Sequence, residues 1–121
     1  MNGQKVLLHG FVDTGNHLTD PKNGNGVIVV SYDKIREFLP AELKAVLDGE
    51  ADDTLFEKAP SLVPFKSIGK ENGVLFGFEP DSVELLERER RQVRHVTVCP
   101  SRQAVPADKS FDAIINPKIL I

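Results

Sequence analysis

The sequence has a single cysteine, Cys99, so no disulfide can form within the chain, and a lone thiol fits a reducing compartment. It lacks any apolar run approaching the roughly 20 residues that a membrane-spanning helix needs. It also lacks a signal peptide, because Met1–Lys5 leads directly into a strand-like stretch. The chain as given is therefore expected to be soluble. Charge of one sign is missing too: 15 Lys and Arg stand interspersed with 18 Asp and Glu, a net charge of −3 that leaves no footprint for nucleic acid or an anionic membrane. The histidines His9, His17 and His95 lack metal-ligand spacing, and no nucleophile signature joins them to Cys99, which reads as a small buried apolar residue. Asp20, Asn23 and Asn25 miss the EF-hand spacing and its closing Glu, so they read as a solvated turn. Gly69–Gly73 is no phosphate loop, because neither a Lys-Ser/Thr pair nor a helix start follows it. Neither a metal nor a cofactor is expected. With 121 residues and no internal repeat, one domain spanning 1–121 is expected.

What is present is organised around Phe11-Val12-Asp13-Thr14-Gly15-Asn16. An apolar run from Val6 to Val12 ends there in a carboxylate, a hydroxyl and a glycine, a pattern that delivers an acid from a strand to a turn. Gly15 permits positive φ, while Thr14 and Asn16 can hydrogen-bond their own backbone, so the Asp13 carboxylate can be held near amide donors. Asp-Thr-Gly after apolar residues is similar to the active-site loop of aspartic proteases.

Lys5–Val12 suits a buried strand, Asn16–Gly26 an exposed loop, and Val27–Val30 a short buried strand packed beside the first. Beyond Ser31 the period becomes helical through Ile35, Phe38, Leu39, Leu43, Val46 and Leu47, with a break or restart at Pro40. Glu50–Ala59 reads as a polar surface connection. Alternation of Val63 and Phe65, then of Val74, Phe76 and Phe78, predicts a hairpin whose turn chemistry comes from Asn72-Gly73. Ser82–Val98 fits either a helix face through Val83 and Leu86 or a hairpin around a charged tip at Arg88–Arg91; the hairpin is favoured. That basic tip, interleaved with Glu87 and Glu89, reads as solvated rather than as a docking site for substrate. Ser101–Ser110 reads as a loop and Phe111–Ile115 as a final core strand stopped by Asn116-Pro117. Lys118–Ile121 leaves apolar residues for a terminal strand or a partner surface.

Four segments together resemble the protease domain of the sporulation sigma-E factor-processing peptidase family. They are Gly10–Pro21, Val63–Gly73, Phe78-Glu79-Pro80-Asp81 and Asp112–Pro117, which follow one another across nearly the whole chain. The resemblance implies a membrane-anchored aspartic protease of spore-forming bacteria that processes the inactive precursor of a sporulation sigma factor. It places the full-length protein in the cell membrane at the sporulation septum, with the protease domain cytoplasmic. The family's multi-spanning amino-terminal domain is absent from this sequence. The same order of acid loop, mobile hairpin and apolar strand entering a short terminal helix is similar to the single-lobed retroviral proteases. The implied fold is mostly β, a retropepsin-like β-barrel with one main helix. Asn16 stands where retroviral proteases place Ala or Ser, and Asn116 where they usually place Gly.

Hydrolysis by this chemistry needs two adjacent carboxyls sharing a proton, one accepting a proton from water while the other donates to the carbonyl. The sequence supplies one Asp-Thr-Gly, so the second Asp13 is expected from another protomer across a two-fold axis. Asp13 is then catalytic, Thr14, Gly15 and Asn16 shape its loop, and Ile68, Gly69, Lys70, Glu71, Asn72 and Gly73 form a flap or, alternatively, the tip of a static hairpin. Val6–Leu8 and Ile119–Ile121 are candidates to pair across the axis. The competing reading is a non-catalytic protease-like module that dimerises or binds an extended peptide by strand addition. The intact acid triplet favours the enzyme.

Overall fold

The computed structural model describes residues 5–12, 18–39, 41, 44, 61–65, 73–86, 90–101 and 111–120. In chain order they form β1 (Gly10–Val12), β2 (Gly26–Ser31), α1 (Tyr32–Ile35) with a 3₁₀ turn at Arg36–Phe38, β3 (Ser61–Phe65), β4 (Gly73–Gly77), β5 (Val83–Leu86), β6 (Arg90–Val93), β7 (Val96–Ser101) and β8 (Ala113–Ile115), then a 3₁₀ turn at Pro117–Leu120. The fold is mostly β.

The main sheet has the order β1-β8-β2-β7. β8 runs parallel to β1 and antiparallel to β2, and β2 runs parallel to β7. The unbroken run Val27-Ile28-Val29-Val30 follows from this position, since a strand covered on both faces has no reason to alternate. Ile28 and Val30 enter one core with Tyr32, Ile35, Val98 and Ile115; Val27 and Val29 enter a second with Val63 and Cys99. The antiparallel β3–β4 hairpin covers that second face and meets β7 at the Phe78–Val98 bridge, where each N–H donates to the other's carbonyl at 2.9 and 2.8 Å. Gly77 permits this approach: a Cβ there would stand 2.8 Å from both Cys99 Sγ and Thr97 Cγ2 and 3.1 Å from the Val98 carbonyl.

Several expectations from sequence need correction. The first strand is only Gly10–Val12, and its flank is open, with Leu7 73% and Phe11 52% exposed. The run Val6–Val12 is broken by His9 and Gly10, and a Cβ at Gly10 would lie 2.6 Å from Ile115 Cδ1. β2 does not lie beside β1, because β8 sits between them. Among the described residues α1 is one turn long, and the helical pattern breaks before Pro40 as its spacing predicts. Leu39 has already turned extended (φ −75°, ψ 150°), as the ring of a following proline requires of its predecessor; helical backbone recurs at Ala41 and Lys44.

The hairpin reading of 82–98 holds as β5–β6, with Val83 paired to Val93 and Leu86 to Arg90. Its returning strand stops at Val93, however, because His95 takes φ 61° and redirects the chain, so Val96 and Val98 belong to β7. In the other hairpin Gly73 is not in a tight turn: it pairs with Phe65, which leaves a seven-residue connection at 66–72. Lys118–Leu120 belongs to a 3₁₀ turn rather than a strand, and Ile119 is buried. Among the described strands the main sheet stays open, with β1 and β7 as its edges and the hairpins as two-stranded units, so no closed barrel forms. The readings of Glu50–Ala59 and of the loop after Ser101 fall at 50–59 and 102–110, outside the described residues.

Candidate active site

Asp13, Thr14, Gly15 and Asn16 lie outside the described residues, as do Ile68, Gly69, Lys70, Glu71 and Asn72; Gly73 is placed, at the start of β4. The two flanks of the acid loop are nevertheless held by one short segment. On the incoming side β1 pairs in register with β8, Gly10 opposite Ala113 and Val12 opposite Ile115. Just before β1, His9 donates its N–H to Asp112 Oδ2 (3.2 Å), and its carbonyl accepts from the N–H groups of Asp112 (2.7 Å) and Ala113 (3.2 Å). The Asp112 carbonyl accepts from Ser31 N–H (2.8 Å), which ties the same residue to the end of β2. Lys34 Nζ stands 4.0 Å from Asp112 Oδ1, a contact from an exposed amine that adds little beside the backbone donors.

On the outgoing side the Leu18 carbonyl accepts from Asn116 Nδ2 (2.8 Å) and from Val27 N–H (3.2 Å). Asn116 Oδ1 accepts from Lys118 N–H (2.9 Å) and the Asn116 carbonyl from Ile119 N–H (3.0 Å), so the side chain caps the 3₁₀ turn that Pro117 begins. The chain thus leaves β1 opposite Ile115 and is caught again at Leu18 by the next residue, Asn116. Residues 13–17, which include the Asp-Thr-Gly, lie between these two anchored positions in the sequence.

The Asn- and Gly-rich loop that follows is exposed at 21–24, as its composition predicts, but Asp20 and Asn25 at its two ends are buried. Asp20 is fully buried, its Oδ2 accepting from Thr97 Oγ1 (2.9 Å) and its Oδ1 from Lys22 N–H (3.0 Å). Asn25, also buried, donates to Thr97 Oγ1 (3.4 Å) and to Glu79 Oε1 (3.5 Å), while Asn23 donates to the same Glu79 oxygen. The turn closes through Gly24 N–H on the Asp20 carbonyl (2.7 Å), with Gly24 at φ 77°. The side chains of Asp20 and Asn25, expected to face water, face inward onto Thr97 of β7. Beside them Cys99 is fully buried, as its apolar reading from sequence has it, and burial, with the Asp20 carboxylate second, pushes its thiol up to about 12. Such a thiol is no nucleophile. Among the described residues no cluster of metal-ligating side chains occurs.

Sequence reasoning missed Thr97 and Asp112 and misjudged Asp20. One signal was available: a threonine inside the apolar run Val96-Thr97-Val98-Cys99 must find a buried partner for its hydroxyl. Asp112 gave no such sign, because its partner His9 is 103 positions away.

Residues 1–119 match the family described as Sporulation factor SpoIIGA. The sporulation sigma-E factor-processing peptidase of Priestia megaterium is 28% identical over 129 residues, covering 100% of this chain and 42% of that protein. The peptidase of the same name from Bacillus subtilis is 29% identical over 133 residues, covering 99% of this chain and 42% of its own length. This chain therefore spans less than half of those two relatives. No solved structure matches.

Proposed function

We propose, from the premise that the chain belongs to the Sporulation factor SpoIIGA family, that it is one half-site of an aspartic endopeptidase that as a homodimer cleaves the inactive precursor of a sporulation sigma factor. The observation that carries this reading is that Val12 and Leu18, the residues on either side of 13–17, are held by the adjacent residues Ile115 and Asn116. A general acid–base pair works only when its groups are held in place, and here the described residues that flank the single Asp-Thr-Gly are both held.

In the dimer two Asp13 carboxyls face each other across the two-fold. Repulsion between like charges keeps one protonated, so the pair titrates as a unit. The ionised member takes a proton from water as it attacks the peptide carbonyl; the protonated member donates to the carbonyl oxygen. Collapse of the tetrahedral intermediate then expels the amine. The β3–β4 hairpin, with residues 68–73 at its distal end, is the flap in this reading. The exposed, edge position of β1 and its flank supports pairing with a second copy. Among the described residues no helix is long and apolar enough to cross a membrane.

Asp13→Asn in the full-length protein is expected to abolish precursor cleavage with folding intact. Added in excess to wild type it should also suppress the wild-type activity, because mixed pairs hold one ionisable acid. Cleavage by Asp13→Asn would refute the aspartic assignment, and inhibition-free mixing would refute the shared site.

A further inference from the structure

Asn116 has two separate engagements. Its Oδ1 receives Lys118 N–H and caps the terminal 3₁₀ turn, while its Nδ2 reaches 98 positions back to the Leu18 carbonyl. The two contacts fix the amide orientation, since the flipped carboxamide would set oxygen against the Leu18 oxygen and nitrogen against the Lys118 N–H. The side chain is buried, so the Leu18 contact is shielded from competing water. Capping alone needs only an oxygen, which Ser or Asp supplies equally well. The amide donor is therefore surplus to capping. It acts on the first described residue after the acid loop, next to Ile115, which holds the last residue before it.

We infer that Asn116 is a positioning residue for catalysis: its amide, by holding the Leu18 carbonyl, fixes the far end of the Asp13 loop and so the separation of the paired carboxyls. The inference rests on the aspartic reading of Asp13 proposed above. Without the amide the Leu18 carbonyl keeps the longer Val27 N–H contact (3.2 Å), a looser hold that lets the acid shift by a fraction of an ångström or more, and misplacement by about 1 Å costs on the order of 100-fold in rate. Because the coupling of two carboxyls depends on their separation, the same shift moves the limbs of the pH–rate profile. A purely structural role in the 3₁₀ turn would do neither.

The test uses Asn116→Asp and Asn116→Ser in the full-length protein, both of which keep the capping oxygen and remove the donor to Leu18. Precursor cleavage is measured across pH beside Asp13→Asn. Expected for folded Asn116→Asp or Asn116→Ser is a kcat lowered about 10- to 100-fold, KM within about twofold of wild type, and displaced limbs of the pH profile. With Asp13→Asn inactive, a wild-type kcat and pH profile in either folded variant overturns the positioning role alone. Activity in Asp13→Asn overturns the aspartic reading and the positioning role with it. Failure of both capping-competent variants to fold overturns the inference as well, because the amide is then a strut of the whole fold.

Discussion

Thr97 shows how one hydroxyl can hold a loop against a sheet. It donates to Asp20 Oδ2 and accepts from Asn25 Nδ2, so its removal leaves a buried carboxylate and a buried amide each short of a partner. Thr97→Val, nearly identical in shape, is expected to lower unfolding stability by about 1–3 kcal/mol, the cost of leaving buried polar groups unpaired. Urea titration would show this as a lower midpoint with an unchanged slope; an unchanged midpoint would mean that the network adds nothing to stability. The acid at the centre of this network was visible in the sequence, but its surroundings were not. Asp, Asn and Gly in succession signal a turn correctly, and the Gly24 turn is there. Composition cannot say which way the carboxylate points, because that depends on a threonine 77 positions later. Cys99 was legible for the opposite reason: an apolar neighbourhood is a local property, and burial is the larger of the two influences on its thiol.

At the scale of elements, periodicity read well wherever both partners of a contact were close in sequence. Both hairpins follow from local alternation, and a helical turn broken ahead of Pro40 from the spacing that begins at Ile35. Strand neighbours separated by a hundred residues could not be read this way, which is why β8 between β1 and β2 was not anticipated. The β3–β4 hairpin offers a functional test, since its ladder runs out to Phe65–Gly73 and leaves the connection 66–72 beyond it. A flap must open to admit a peptide and close to exclude water. Introducing cysteines at positions 66 and 72 and oxidising them is expected to lower kcat at least severalfold, with recovery on reduction. Cys99, buried and with its thiol pushed up to about 12, will not compete for the cross-link. Turnover unaffected by oxidation would mark the hairpin as a fixed part of the sheet.

For the whole molecule, the surface available for pairing is smaller than the sequence suggests. Ile119 packs on Gly26 inside its own chain, and Val6 and Leu8 lie partly against the core, which leaves Leu7 and Phe11 as large exposed apolar residues near β1. So small a contact offsets little of the freedom lost when two bodies associate. Copies held in one membrane would meet at a raised effective concentration with no added contact. Fusing the domain to an unrelated dimeric partner is therefore expected to raise precursor cleavage at least tenfold at low protein concentration. A tight dimer of the free domain with no gain from fusion would overturn this. The position of β8 also sets an order in time. During synthesis Asp13 emerges before the residues that hold its flanks, Ile115 and Asn116, which leave the ribosome about a hundred residues later. Contacts so distant in sequence are slow to close. The acid loop therefore has no frame while the chain is being made, and a nascent chain cannot assemble the paired site beside its neighbours on the same message.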